Sequence, residues 1–309
     1  MPDLPPVSHQ ALSADNRAGD TRAVQRTTFV GLVVNLLLAA AKFMAGILAS
    51  SQALIADAAH SLSDSTTDIA VIVGAPYWSA PADTDHPYGH GRIETVITFL
   101  IGGVLAAVGI GLAYKALGSM IVPAENPPGW AAFAVACLSM VAKEWLFRWT
   151  LRVGRRVRSA AMVANAWHHR TDGMSSLPVA IAVLGIHIRP EWTFLDPVAA
   201  VIVSVFVFQA AWKIGWPAVR QLIDAGAARE DREEILRLAL AVEGVEQVHG
   251  LRTRHAGPGL HVDIHVLVDP DLSVRHGHEI AGSVKSHLLR DGPDVFDVLV
   301  HIEPHETNA

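Results

Sequence analysis

Ala53-Leu54-Ile55-Ala56-Asp57-Ala58-Ala59-His60-Ser61-Leu62-Ser63-Asp64-Ser65-Thr66-Thr67-Asp68 is the stretch on which the fold turns. It opens an apolar run that ends at Trp78, long enough to cross a hydrocarbon core of about 20 helical residues. Asp57, His60, Asp64 and Asp68 follow one another at offsets of three, seven and eleven residues from the first, so on a helix they form one stripe. A charge in the bilayer core costs a few kcal/mol or more, and a stripe of them is tolerated only where it faces protein, water or an ion. The stripe therefore predicts a transmembrane helix with a function, packed inward among others.

Working outward, five more apolar stretches surround it: Phe29 to Ser50, Thr95 to Val122, Trp130 to Leu151, Ala160 to Ile188 and Phe194 to Trp216. With the run Ala53 to Trp78 they predict six spans. The composition agrees: 51% of 309 residues are hydrophobic, 17% are charged, and the mean hydropathy is +0.32. Arg17, Arg22 and Arg26 precede the first span, and Arg152, Arg155, Arg156 and Arg158 lie between the fourth and fifth. Glu125 alone marks the polar centre after the third. The positive-inside rule then puts both termini in the cytosol, in a multi-pass protein of the inner or plasma membrane. Residues 1–26 lack a cleavable signal pattern and read as a cytosolic tail, 27–217 as the transmembrane domain, and 218–309 as a cytosolic domain.

Beyond Pro217 the texture becomes charged helix, strand, strand, charged helix, strand. Val262, Ile264, Val266 and Val268 alternate with His261, Asp263, His265 and Leu267, as in a half-buried strand. From Val295 to Glu303 the same period puts Phe296, Val298, Val300 and Ile302 on one face and Asp297, Leu299, His301 and Glu303 on the other. The α-β-β-α-β order fits a small α+β ferredoxin-like sandwich.

The fifth span repeats the device of the second with Asn165, His168 and Asp172, beside the small Ser176. His60 with Asp64 and His168 with Asp172 supply two imidazoles and two carboxylates, a full tetrahedral ligand set if the two spans are neighbours. Zinc suits that set, and cobalt, nickel, ferrous iron or manganese are also accommodated by mixed nitrogen and oxygen donors. Interhelical hydrogen bonding accounts for one such pair as well as metal binding does; for two matched pairs metal binding is the stronger account. Asp57, Asp68 and His169 read better as supports than as ligands. One cysteine, Cys137, excludes a cysteine-based zinc site, and a net charge of -6 with 16 His argues against nucleic acid and for cations. No glycine-lysine phosphate loop suggests nucleotide. Imidazole binds metal only when deprotonated, so protons compete for the same site and serve as counter-substrate.

These strings resemble the cation diffusion facilitator family, including its bacterial zinc and ferrous-iron efflux branch. The resemblance is carried by Ala58-Ala59-His60-Ser61-Leu62-Ser63-Asp64, by Asp83-Thr84-Asp85-His86-Pro87-Tyr88-Gly89-His90-Gly91-Arg92-Ile93-Glu94, and by Ala166-Trp167-His168-His169-Arg170-Thr171-Asp172. It implies a six-span protomer with a metallochaperone-like C-terminal domain, a homodimer in the lipid bilayer, and export of zinc by metal/proton antiport through alternating access. Ferrous iron, manganese, cobalt and cadmium are the other ions it allows. His60, Asp64, His168 and Asp172 would be the transport site. His60 stands where the zinc/cadmium branch has aspartate, which disfavours large cadmium.

The resemblance also places a peripheral metal site at Asp83, His86 and His90, and a binuclear site at His249, His265, His278, His301 and Glu303, with Glu303 in place of a family aspartate. Solvated loop or surface residues are the competing account of both. Arg92 takes the place of a basic residue that pairs with an acid beyond the sixth span, here Asp224. A metal-sensing scaffold and a membrane metalloenzyme are the rival functions, the latter disfavoured because no His-Glu-x-x-His occurs.

Overall fold

The computed structural model describes residues 9–121, 126–157, 159–257 and 259–305. Residues 1–8, Val122, Glu125 and Arg158 lie outside these, as do the side chains of Arg17, Arg22 and Asp68. The chain divides into two compact units, one of Met1–Ile69 with Gly102–Trp212, the other of Ala70–Ile101 with Lys213–Ala309.

The helical elements are α1 (His9–Leu48), α2 (Gln52–Trp78), α3 (Arg92–Ile121), α4 (Trp130–Arg156), α5 (Ala160–Ser175), α6 (Leu177–Ile188) and α7 (Leu195–Leu222). Among the described residues five segments are long and apolar enough to cross a membrane: Val24–Leu48, Arg92–Ile121, Trp130–Arg156, Met162–Ile188 and Pro190–Leu222. Their outward faces are apolar, as at Leu37, Val104, Val141 and Ile181, as a helix facing lipid requires. The sixth expected span, α2, has 27 residues and the length to match, but it is not among these five.

The first unit packs on small side chains. Ala45, Ala49, Ala53, Ala56, Ala132, Ala136, Ala199 and Ala200 are buried with Leu54, Val179, Val183 and Val203. Without water to drive association, close backbone approach and interhelical hydrogen bonds hold such helices together. One such bond set caps α2: Asp196, in the first turn of α7, accepts from the Ser51 hydroxyl at 2.6 Å and the Gln52 amide at 2.7 Å. The expected single span from Ala160 to Ile188 is interrupted, α5 ending at Ser175 and α6 starting at Leu177. Pro178 is the cause, because its ring denies the turn before it a backbone donor and clashes with the preceding turn.

In the second unit α8 (Arg229–Leu240) and α9 (Val274–Asp291) join β1 (Gln247–Ala256), β2 (Gly259–Val268) and β3 (Val295–Pro304) in the expected order. The sheet runs β1-β2-β3, with β1 antiparallel and β3 parallel to β2. Val262, Ile264, Val266 and Val268 of β2 meet Ile235 and Leu238 of α8 and Ile280, Val284 and Leu288 of α9 in one core. β3 departs from the simple alternation. The register steps from Leu260 opposite Val295 to His261 opposite Asp297, leaving Phe296 without a partner. At this bulge Phe296 turns outward, 67% exposed, and Val295 packs against the core instead.

Candidate metal sites

Three groups of three ligand-type residues bring their donor atoms within 4.8 Å of one another, among the described residues: His60, Asp64 and Asp172; Asp83, His86 and His90; and His249, His265 and Glu303.

The first joins α2 to α5 inside the first unit. Helical spacing brings His60 and Asp64 to one face of α2, and α5 contributes Asp172, 4% exposed. His60 Nδ1 is buried and has no hydrogen-bond partner among the described residues, an arrangement that leaves a nitrogen for a ligand. His168 is set apart from this group. Its Nδ1 lies 3.4 Å from Asp172 Oδ1, but the side chain is half exposed at 51%. The gathered set is thus one imidazole and two carboxylates, with the second imidazole beside Asp172 but outside the group.

Two buried lysines, not singled out in the sequence, complete the surroundings. Lys143 of α4 donates to Asp172 Oδ2 at 3.0 Å, and Lys42 of α1 pairs with Asp57 Oδ2 at 2.9 Å. Lys42 also donates to Ser61 Oγ at 2.8 Å. Asp57 further accepts from the hydroxyls of Ser175 at 2.7 Å and Ser176 at 2.6 Å, at the α5–α6 break. Asp57 is therefore fully engaged as a support rather than poised as a ligand. The signal was present in the sequence: a lysine inside an apolar span carries the same desolvation cost as the aspartates and demands a partner. His169 is buried, with Nε2 against Gly31 of α1, at 3.4 Å from where a Cβ would be.

The second group sits on the loop before α3. Asp83 Oδ1 accepts from the His86 amide at 2.6 Å and the Asp85 amide at 3.0 Å, which fixes the turn and holds its carboxyl below the usual range. His86 Nδ1 and His90 Nε2 each lie 3.3 Å from one of its oxygens. Nearby, Arg92 Nη2 pairs with Asp224 Oδ1 at 2.5 Å, the pairing that the family resemblance implies.

The third group is a product of strand register. His249 is opposite His265 on β1 and β2, and His265 is opposite His301 on β3, so three imidazoles form a row across the sheet. Glu303, two residues beyond His301, takes hydrogen bonds from His249 Nε2 and His265 Nδ1, both at 2.7 Å. These two bonds hold the Glu303 carboxyl below its ordinary range. His301 Nε2 is farther from Glu303, at 3.5 Å. His278 stands outside the group, exposed on α9, and shares with His301 and Glu303 an open cavity of about 570 Å³. Gly250 has a φ of 60, and a Cβ there would come within 2.9 Å of the His265 ring, so this row requires glycine.

The cation efflux transmembrane domain matches residues 28–223, and the cation efflux protein cytoplasmic domain matches residues 227–305. The chain belongs to the cation diffusion facilitator family. As a member of it, the chain is a multi-pass membrane transporter for metal cation efflux and not an enzyme. Metal tolerance protein C1 of Arabidopsis thaliana is 36% identical over 290 residues, covering 89% of this chain and 61% of that longer protein. Metal tolerance protein 2 of rice, Oryza sativa subsp. japonica, is 32% identical, covering 98% of this chain and 84% of its own. The manganese efflux system protein MneP of Bacillus subtilis is 30% identical, covering 91% and 96%. Among solved structures, a variant of MamM-CTD is 26% identical over 26% of this chain and 100% of its own length, with a TM-score of 0.25.

Proposed function

We propose that this facilitator exports zinc from the cytosol in exchange for protons, by alternating access about a site made of His60, Asp64, Asp172 and His168. The observation that carries the reading is the meeting of His60 and Asp64 from α2 with a buried Asp172 from α5 within the helical unit, His168 Nδ1 lying 3.4 Å from Asp172. Two imidazoles with two carboxylates make the tetrahedral shell that zinc prefers. Neutral imidazole is the form that binds metal, so a proton arriving at the site competes with the ion leaving it. Six spans, α2 included, carry residues 27–217, with 1–26 and 218–309 on the cytosolic side; Arg26, Arg152, Arg155 and Arg156 support that orientation. The loop group and the row on the sheet are proposed as further metal sites, the latter at a homodimer interface formed by the C-terminal domain, with His278 joining only after a side-chain rearrangement.

Proteoliposomes under an imposed pH gradient test this, with zinc, manganese, cadmium and ferrous iron offered to the wild type and to Asp64→Ala. Zinc flux that follows the gradient and falls more than about tenfold in the variant is expected, since one ligand of four is lost. Zinc flux that ignores the gradient would remove proton exchange, and undiminished flux in the variant would remove the site. Manganese is the second reading, favoured by the oxygen-rich set of one imidazole and two carboxylates and by the name of the Bacillus subtilis relative. Gradient-driven manganese flux without zinc flux would establish it.

A further inference from the structure

Lys143 stands in contact with the transport site without belonging to any ligand pattern. Its side chain is fully buried, and its ammonium reaches Asp172 Oδ2 at 3.0 Å. Asp172 carries a donor atom within 4.8 Å of those of His60 and Asp64. The approach is made possible by Gly173, where a Cβ would sit 3.0 Å from Lys143 Cβ; the bare backbone lets the lysine stem lie along α5. A divalent ion held by Asp172 would face this ammonium across a few ångströms of low dielectric, a repulsion that grows as water is excluded. A lysine head on a four-carbon stem can withdraw, whereas a helix-borne carboxylate cannot.

We propose that Lys143 is a built-in competitor for the transported ion: its ammonium occupies Asp172 between ions, yields when an ion enters, and returns to promote release. The inference rests on the transport-site reading above. It assigns Lys143 to setting affinity and turnover in opposite directions, as a fixed competitor must. Removing it deepens the well in which the ion sits, so the ion binds tighter and leaves more slowly. Arginine would instead grip the carboxylate through two parallel hydrogen bonds and be harder to displace.

The test is gradient-driven flux of zinc and of manganese by full-length Lys143→Met and Lys143→Arg, reading KM and maximal rate separately. Lys143→Met should lower KM about tenfold and lower the maximal rate by a similar factor, while Lys143→Arg should raise KM. A purely packing role would move both variants in the same direction, and that result, or no change in KM, overturns the proposal. If Lys143→Met fails to give a monodisperse protein, Lys143→Gln, neutral and still able to donate to Asp172, carries the same expectation. Asp172→Asn separates the two levels. Retained flux in it sinks the transport-site reading itself, whereas lost flux alongside unmoved lysine variants sinks only the inference about Lys143.

Discussion

At the scale of single residues, the helical unit has two buried Lys–Asp pairs with different surroundings. Lys143–Asp172 adjoins donor atoms from α2, while Lys42–Asp57 is enclosed by Ser61, Ser175 and Ser176. The enclosed pair has no exchangeable partner on its carboxylate, so its role is to hold α1, α2 and the α5–α6 break together. Breaking a buried pair from one side strands a charge and costs about 3–5 kcal/mol, whereas replacing both partners with apolar groups of similar size is close to neutral. Asp57→Ala should therefore lower the thermal unfolding midpoint sharply, and the double variant Lys42→Met with Asp57→Leu should recover most of it. Size-exclusion after heating reads the difference. If the double variant proves as unstable as Asp57→Ala, the pair does more than balance charge.

At the scale of elements, period and charge made most of the architecture legible. Five apolar runs and one striped run predicted where the helices of the first unit lie, although α1 starts at His9, well before Phe29, and α7 runs past Trp216 to Leu222; alternating valines predicted β2. Local chemistry outside those periods was what escaped. Pro178 breaks the fifth apolar run into α5 and α6, a single-residue signal that the length and hydropathy of the run do not carry. The bulge at Phe296 is set by pairing between β2 and β3, which no single strand records. Likewise Asp83, His86 and His90 close on one another through a turn held by Asp83, while His249 and His265 meet through strand register. The bulge has a measurable consequence at its neighbour. His261, 6% exposed and ringed by Phe296 and Tyr88, is held below the usual imidazole range first by burial and then by Arg254. A base with a lower value folded than unfolded takes up protons on unfolding, so its contribution is full above about pH 6.5 and falls as the solution is acidified. Amide exchange of β2 in the intact protein should accelerate on acidification below that value, and His261→Phe should flatten the response. A response unchanged by the substitution would assign it to another group.

At the scale of the whole molecule, the proposed transport site and a row of imidazoles in separate compact units raise the question of what the second contributes to flux. Two sites are coupled only if an ion at one favours the same global state as an ion at the other, and the coupling then appears as a shift in the concentration at which transport runs, typically 5–150-fold. Glu303 is the residue to remove, because it joins His249 and His265 and its loss leaves the imidazoles without their bridge. Glu303→Ala should raise the zinc concentration for half-maximal flux about tenfold while leaving the maximal rate near that of the wild type. Asp64→Ala, by contrast, should abolish the rate at every concentration. Glu303→Asp, one methylene shorter, should fall between wild type and Glu303→Ala if reach to both imidazoles is what matters. A half-maximal concentration unmoved in Glu303→Ala would mean that the row binds metal without reference to transport. A maximal rate that fell with it would make the C-terminal domain part of the transport cycle itself.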